Sequence, residues 1–184
     1  MTDIREWQDR VGQAWADSWH DTDRSFSGLT TQFLDMLESL PGSSVLDIGC
    51  GAGELSLAIA RRRHNAQVIG VDVSPALIEA ARQRGEGHGS VSFELGDAAS
   101  WQHPGFAPDL LVSRHGVMFF DDPVAAFTHL RGIAAASARM AFTCFRGPEE
   151  NPWMSGLAAM LPGSAPKPPS NAPGPFAFAD PERV

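Results

Sequence analysis

The sequence predicts a doubly wound, Rossmann-like α/β fold: a mainly parallel sheet between helices, with a helical cap in front. Three observations predict it. Five short apolar runs recur after residue 43, and helical patterns lie between them. The first run opens into a glycine-rich turn and then a helix, "SSVLDIGCGAGELSLAIARRR" at residues 43 to 63. Strands alternating with helices require right-handed crossovers, which lay the strands parallel and place helices on the faces of the sheet.

The elements follow in order. Ile4, Trp7, Val11, Trp15 and Trp19 recur at helical spacing, and Leu29, Phe33, Met36, Leu37 and Leu40 do so again before Pro41-Gly42. Two amphipathic helices are therefore expected within residues 1–43, as a cap. The α/β domain is expected over 44–146, with strands at "VLDI" (45–48), "QVIGVDV" (67–73), "VSFEL" (91–95), "DLLVS" (109–113) and "MAFTCF" (140–145). Helical patterns cover 54–63, 75–84 and 123–136. Ser74-Pro75 and Asp122-Pro123 each set a capping side chain before a first-turn proline, and Gly85 is placed to stop the second of these helices. Residues 147–184 form an extension. Its last 24 residues hold seven of the fourteen prolines and read as an extended loop. Asp180-Pro181 is a helix start signal with no helix behind it, which points to a fragment or a truncated product.

Composition limits the function. With 184 residues, 43% of them hydrophobic, the chain can bury one substantial core. A net charge of −8 and a pI near 5.1 argue against a nucleic-acid partner, because that affinity needs many lysine and arginine contacts to phosphates. The one dense basic run, Arg61-Arg62-Arg63-His64, reads as the end of a helix complementing its negative terminus. Cys50 and Cys144 lack metal or redox spacing and read as reduced thiols. His20, His64, His88, His103 and His129 show no metal spacing, so no metal is expected. No apolar run approaches a membrane span and the N-terminus does not resemble a signal peptide, so a cytoplasmic location is expected. A homo-oligomer is compatible with these residues and not required by them.

In a doubly wound sheet, ligands bind beyond the carboxyl ends of the strands, near the point where strand order reverses. Gly49, Gly51 and Gly53 sit at the first such end and bare the backbone at a helix N-terminus. Their spacing is G-x-G-x-G, not the G-x-G-x-x-G of dinucleotide sites. Asp47 and Glu54 flank the turn, which disfavours a phosphate and suits an ammonium or sulfonium. Asp72 closes the second strand, nineteen residues after Gly53, where a carboxylate meets ribose hydroxyls. From the residues alone, a nicotinamide-dependent oxidoreductase and a non-catalytic cofactor-binding module stay open as alternatives.

"VLDIGCGAGELSLAIA" with "VIGVDVSPALIEAAR" resembles the first two motifs of class I S-adenosylmethionine-dependent methyltransferases. The likeness continues through "VSFELGDAAS" and "PDLLVSRHGVMFFDDPVAAFTHL" to "ENPWMSGL" and "APGPFAFADPERV". These later segments are similar to a bacterial branch of small-molecule enzymes related to those of ubiquinone and menaquinone biosynthesis. The resemblance implies S-adenosylmethionine as cofactor and a small-molecule acceptor methylated by in-line displacement. It implies that Asp47 and the backbone around Gly49, Cys50, Gly51 and Gly53 hold the methionine moiety. Asp72 would bind the ribose, Val73 would pack on the adenine, and Gly96, Asp97 and Ala98 would border the adenine. Ser113 and the residues up to His115 would face the methionine end and the acceptor. His115 is the candidate catalytic base, with packing against the cofactor or cap as its other reading. "GVMFF" (116–120) either lines an acceptor pocket or is core beneath the cap. "SRHG" after the fourth strand departs from the Asn/Asp-Pro-Pro-aromatic signature of nucleic-acid and amino-group modifiers. The family sheet carries two further strands, including an antiparallel edge pair, that this sequence lacks, so the gene product is expected to continue.

Overall fold

The structure is a computed structural model describing residues 4–151, 156, 160 and 172–183. The proline-rich stretch 161–171 and most of "ENPWMSGL" lie outside the described residues. The cap is three helices rather than the two expected: α1 (Ile4–Gln8), α2 (Arg10–Asp17) and α3 (Trp19–Glu38). The apolar spacing runs on unbroken, but the backbone leaves the helical region at Asp9 (φ −124°, ψ −119°) and Ser18 (φ −111°, ψ 21°). These bends let α2 bring Gly12 against Ser74, where any side chain at position 12 would collide with the Ser74 side chain.

Five parallel strands follow: β1 (Ser44–Ile48), β2 (Gln67–Asp72), β3 (Val91–Leu95), β4 (Leu110–Arg114) and β5 (Arg139–Thr143). Among the described residues they form one sheet in the order β3, β2, β1, β4, β5. Val45 is in register with Val68 and with Leu110, and Asp47 with Gly70 and Val112. Helices α4 (Glu54–Arg62), α5 (Pro75–Arg84) and α6 (Pro123–Ile133) lie where expected, α6 ending three residues early as the chain turns extended at Ala134. The Ser74 and Asp122 side chains accept the amides of Leu77 and Ala125, the capping expected before each proline. Between β3 and β4 the described chain forms no helix; buried Trp101 covers the sheet there and donates to Glu94 at 2.8 Å.

Strand alternation sends successive side chains to opposite faces, and both faces are apolar because both are covered. Val45, Val68, Leu110 and Val112 meet Phe33, Leu34 and Leu37 of α3 and Leu55 and Ile59 of α4. Leu46, Ile69, Val71 and Leu111 meet Leu130 of α6, Trp101, and Ala177 and Phe178 of the C-terminal segment. Phe93 explains several glycines at once: a Cβ at Gly53, Gly70 or Gly85 would lie 2.7 to 2.9 Å from its ring. Gly85 caps the end of α5 as expected, at an ordinary φ of −83°, and serves packing as well. The basic run ends α4 as expected, with Arg61 and Arg62 in its last turn, and it serves a second helix as well. Arg63 donates to the Leu37, Leu40 and Gly42 carbonyls at the end of α3, and Arg62 pairs with Asp35 and Glu38. Asp180-Pro181 forms only a short 3-10 turn, Pro181–Arg183, with the Glu182 amide on the Asp180 carboxylate. No helix among the described residues is long and apolar enough to cross a membrane.

Candidate functional site

The carboxyl ends of β1, β2, β3 and β4 open into a cavity of about 510 Å³, roofed by the cap helices. Strand order reverses between β1 and β4, so the position is the one the topology designates for ligands.

The glycine turn forms its floor. Gly49 and Cys50 both donate their amides to the Val71 carbonyl, at 2.9 and 3.1 Å, which bends the chain back over β2. Gly49 has φ +66°, and a Cβ there would lie 2.8 Å from the Gly116 Cα, so the turn closes against the end of β4 only with glycine at that position. The Gly51 amide donates to Asp72 Oδ2 and the Ser74 amide to Oδ1, both at 2.9 Å. Asp72 thereby ties the first turn to the second. Gly53 does not line the cavity; it is the residue before α4, cleared for Phe93. Its expected place beside the ligand is corrected to a packing role.

Asp47 is 1% exposed. Its Oδ2 accepts from Ser56 Oγ at 2.6 Å, while Oδ1 is buried without a partner. Burial pushes its pKa up to about 6, against the lowering effects of the Ser56 hydrogen bond and the Arg114 charge. Asp47 itself lines the cavity, so this oxygen is a candidate acceptor for a ligand donor. Burial also raises the Asp72 carboxyl, less the stabilisation from its backbone donors, and the Cys50 thiol. At the end of β3, Gly96, Asp97 and Ala98 line the cavity, as Val73 does after β2. Asp97 accepts the Ala99 amide at 2.9 Å, the turn role that competes with a ligand role for this residue.

Two expectations need correction. Ser113 does not line the cavity: its hydroxyl donates to the Ile48 carbonyl at 2.7 Å and accepts from the Gly116 and Val117 amides. The pleat sends Ser113 toward the Leu111 face and Arg114 toward α3, so Ser113 shapes the turn after β4 instead of facing a ligand. Glu54 does not offer an unpaired charge to a cation. Arg114 forms an ion pair with it, and also donates to Thr30 of α3 at 2.6 Å.

His115 has φ +64°, the one non-glycine residue with positive φ among the described residues. Its ring stacks on Phe145 at 4.2 Å and meets Phe26 edge-on at 5.2 Å. Burial, then the neighbouring Arg114 charge, lower its pKa to about 4, so at neutral pH it is an uncharged hydrogen-bond acceptor.

The cap is latched to this floor by groups that sequence reasoning missed. Arg84, at the end of α5, donates to the Ala52 carbonyl at 2.8 Å, pairs with Asp23 of α3 at 2.6 Å and lies 3.8 Å over the Trp19 ring. No spacing signal links Asp23 to Arg84 or Glu54 to Arg114, because each pair joins elements far apart in sequence.

The glycine turn, the strand-end carboxylates and the unpartnered Asp47 oxygen converge on one cavity at the ligand position of a doubly wound domain. Residues 45–135 match the family described as a methyltransferase domain, and this stretch is a class I S-adenosylmethionine-dependent methyltransferase domain, a family whose cofactor is S-adenosylmethionine. It is 38% identical over 96 residues to a trans-aconitate 2-methyltransferase of Methylobacterium radiotolerans, covering 52% of this chain and 35% of the relative. It is 35% identical over 86 residues to a ubiquinone biosynthesis O-methyltransferase of Hahella chejuensis, covering 46% and 35%. The fold resembles the crystal structure of a magnesium protoporphyrin IX methyltransferase from Synechocystis PCC 6803 with bound S-adenosylhomocysteine. That likeness has a TM-score of 0.67 at 19% identity, over 87% of this chain and 78% of the other. The chain spans between 20% and 55% of the length of the first curated relatives it matches. None of these findings favours the oxidoreductase alternative.

Proposed function

We propose that this chain transfers a methyl group from S-adenosylmethionine to a small-molecule acceptor. The observation that carries the reading is the orphaned Asp47 Oδ1 beside the glycine turn, in one cavity with Asp72 and Asp97. The cofactor supplies an activated methyl on its sulfonium for in-line displacement. The residues do the rest by holding and excluding. Asp47 Oδ1 accepts from the methionine ammonium, and the backbone at Gly49, Cys50 and Gly51 lines that end. Asp72 accepts from the ribose hydroxyls, Val73 packs on the adenine, and Gly96, Asp97 and Ala98 border it. The latched cap keeps water out and fixes the acceptor in line, which in such reactions supplies several kcal/mol. In this reading residues 1–43 are the cap, 44–146 the cofactor-binding domain and 147–184 an extension contributing Pro175 to the cavity wall. Cys50 and Cys144 are free thiols, which supports a reducing, cytoplasmic setting.

Calorimetric titration tests the reading directly: S-adenosylmethionine and S-adenosylhomocysteine should both bind with micromolar affinity. Absence of binding by both would sink it. In this proposal His115 accepts a hydrogen bond from the acceptor and orients it, its lowered pKa making it a weak base. His115→Phe should leave cofactor affinity within about threefold and lower turnover by about tenfold or more. Undiminished turnover in that variant would reassign His115 to packing between Phe26 and Phe145.

A further inference from the structure

Besides the glycine turn and the strand-end carboxylates, the cavity is walled by aromatic side chains already set against each other. Trp7 meets Trp15 at 5.8 Å and Phe119 edge-on at 5.2 Å. Phe26, His115 and Phe145 form a second run, and all of these side chains line the cavity. Trp15 is 41% exposed, and Trp7 and Phe119 are only partly buried, so ring surface remains open to a further flat partner. Aromatic pairs favour offset or edge-on contacts, and rings held by neighbours lose little freedom when another ring joins them.

The charges decide what kind of partner fits. Arg114 is the one guanidinium lining the cavity among the described residues, and it is committed to Glu54 and Thr30. Arg84 reaches the cap from α5 but is committed to Asp23 and the Ala52 carbonyl. His115 is uncharged at neutral pH. An anionic acceptor would therefore shed its water with no cation to receive it, a large cost. A cationic acceptor fares little better. Asp23 and Glu54 are neutralised by their arginines, Asp122 caps α6, and Asp121 is exposed, where solvent and salt screen it.

Resting on the methyltransferase reading, we infer that the acceptor is an uncharged, ring-bearing molecule stacked on the aromatic wall formed by Trp7, Trp15, Phe119, Phe26 and Phe145. The cap supplies Trp7, Trp15 and Phe26, the turn after β4 supplies Phe119, and the end of β5 supplies Phe145, so the acceptor lies between elements that carry no cofactor motif.

Three probes of one shape separate the possibilities: 2-naphthol, 2-naphthoate and 2-naphthylmethylammonium, titrated into the full chain saturated with S-adenosylhomocysteine. The neutral naphthol is expected to bind at least about tenfold more tightly than either ion. Trp7→Leu should weaken naphthol by about fivefold or more and change S-adenosylhomocysteine affinity by less than about twofold. Asp121→Lys, at an exposed position, should raise naphthoate affinity by about threefold or more, because it adds the missing cation at the mouth. Naphthoate or the ammonium binding as tightly as naphthol would overturn the inference, as would naphthol failing to saturate or Trp7→Leu leaving its affinity unchanged. Failure of S-adenosylhomocysteine itself to bind the unsubstituted chain would overturn the methyltransferase reading and this inference with it.

Discussion

Asp72→Ala is expected to weaken S-adenosylmethionine binding by about 1.5–3 kcal/mol, roughly ten- to a hundredfold, through loss of charge-assisted hydrogen bonds to the ribose. The same carboxylate holds the Gly51 and Ser74 amides in the free protein, so part of the loss is a loosened turn. Asp72→Asn separates the two effects. Its side-chain oxygen still accepts one amide, so the melting temperature should fall less than in the alanine variant while affinity stays reduced. Calorimetry with a thermal melt reads both quantities. Undiminished affinity in Asp72→Ala would remove this residue from the ribose site.

Asp47→Asn should do the opposite to the free protein and still abolish much of its binding. Burial lifts the Asp47 pKa from 3.8 to about 6, so the folded chain holds this proton more tightly than the unfolded chain does. The sign follows from linkage. The contribution is fully present below the unfolded pKa near 3.8 and is lost as pH rises to about 6, leaving a penalty at neutral pH. Two pKa units correspond to about 3 kcal/mol. An asparagine removes that penalty, while its unpartnered amide nitrogen restores about 1–2 kcal/mol of it. The net expectation at pH 7 is a free protein stabilised by about 1–2 kcal/mol, with a gain that shrinks toward pH 4. Denaturant melts of both proteins across that range check it; a destabilised variant at pH 7 would contradict the burial argument.

The same carboxyl couples binding to pH. An ammonium on Oδ1 favours the ionised form, so below pH 6 binding must expel a proton. Cofactor affinity should be about tenfold weaker at pH 5 than at pH 7 in the natural chain, and the fall should be smaller in Asp47→Asn, where the raised Asp72 carboxyl still titrates. In the proposed function, the site thus stores instability in the free state that the cofactor relieves.

Much of this was legible in the residues. The β1 to α4 turn, the Asp72 position and the two proline-led helix starts are local patterns, in which a few adjacent residues must satisfy one backbone geometry. Strand limits held to within two residues, and the parallel direction of the strands followed from alternation. The cap showed its apolar spacing but not its breaks, because Asp9 and Ser18 bend to seat Gly12 on Ser74, a contact some sixty residues distant. Glycine spacing alone could not tell Gly49, which closes on Gly116, from Gly53, which makes room for Phe93.

By itself the sequence determined the doubly wound class, the place of the glycine turn and the carboxylates that line the cavity, since each depends on short-range periodicity or on adjacent residues. Only the tertiary structure decided which charges are spent and which remain. Arg114 neutralises Glu54, Arg84 latches Asp23, Ser113 turns inward, and Asp47 keeps one oxygen without a donor. Those outcomes depend on which side chains meet across elements sixty residues apart or on which face the pleat presents, and neither follows from spacing along the chain.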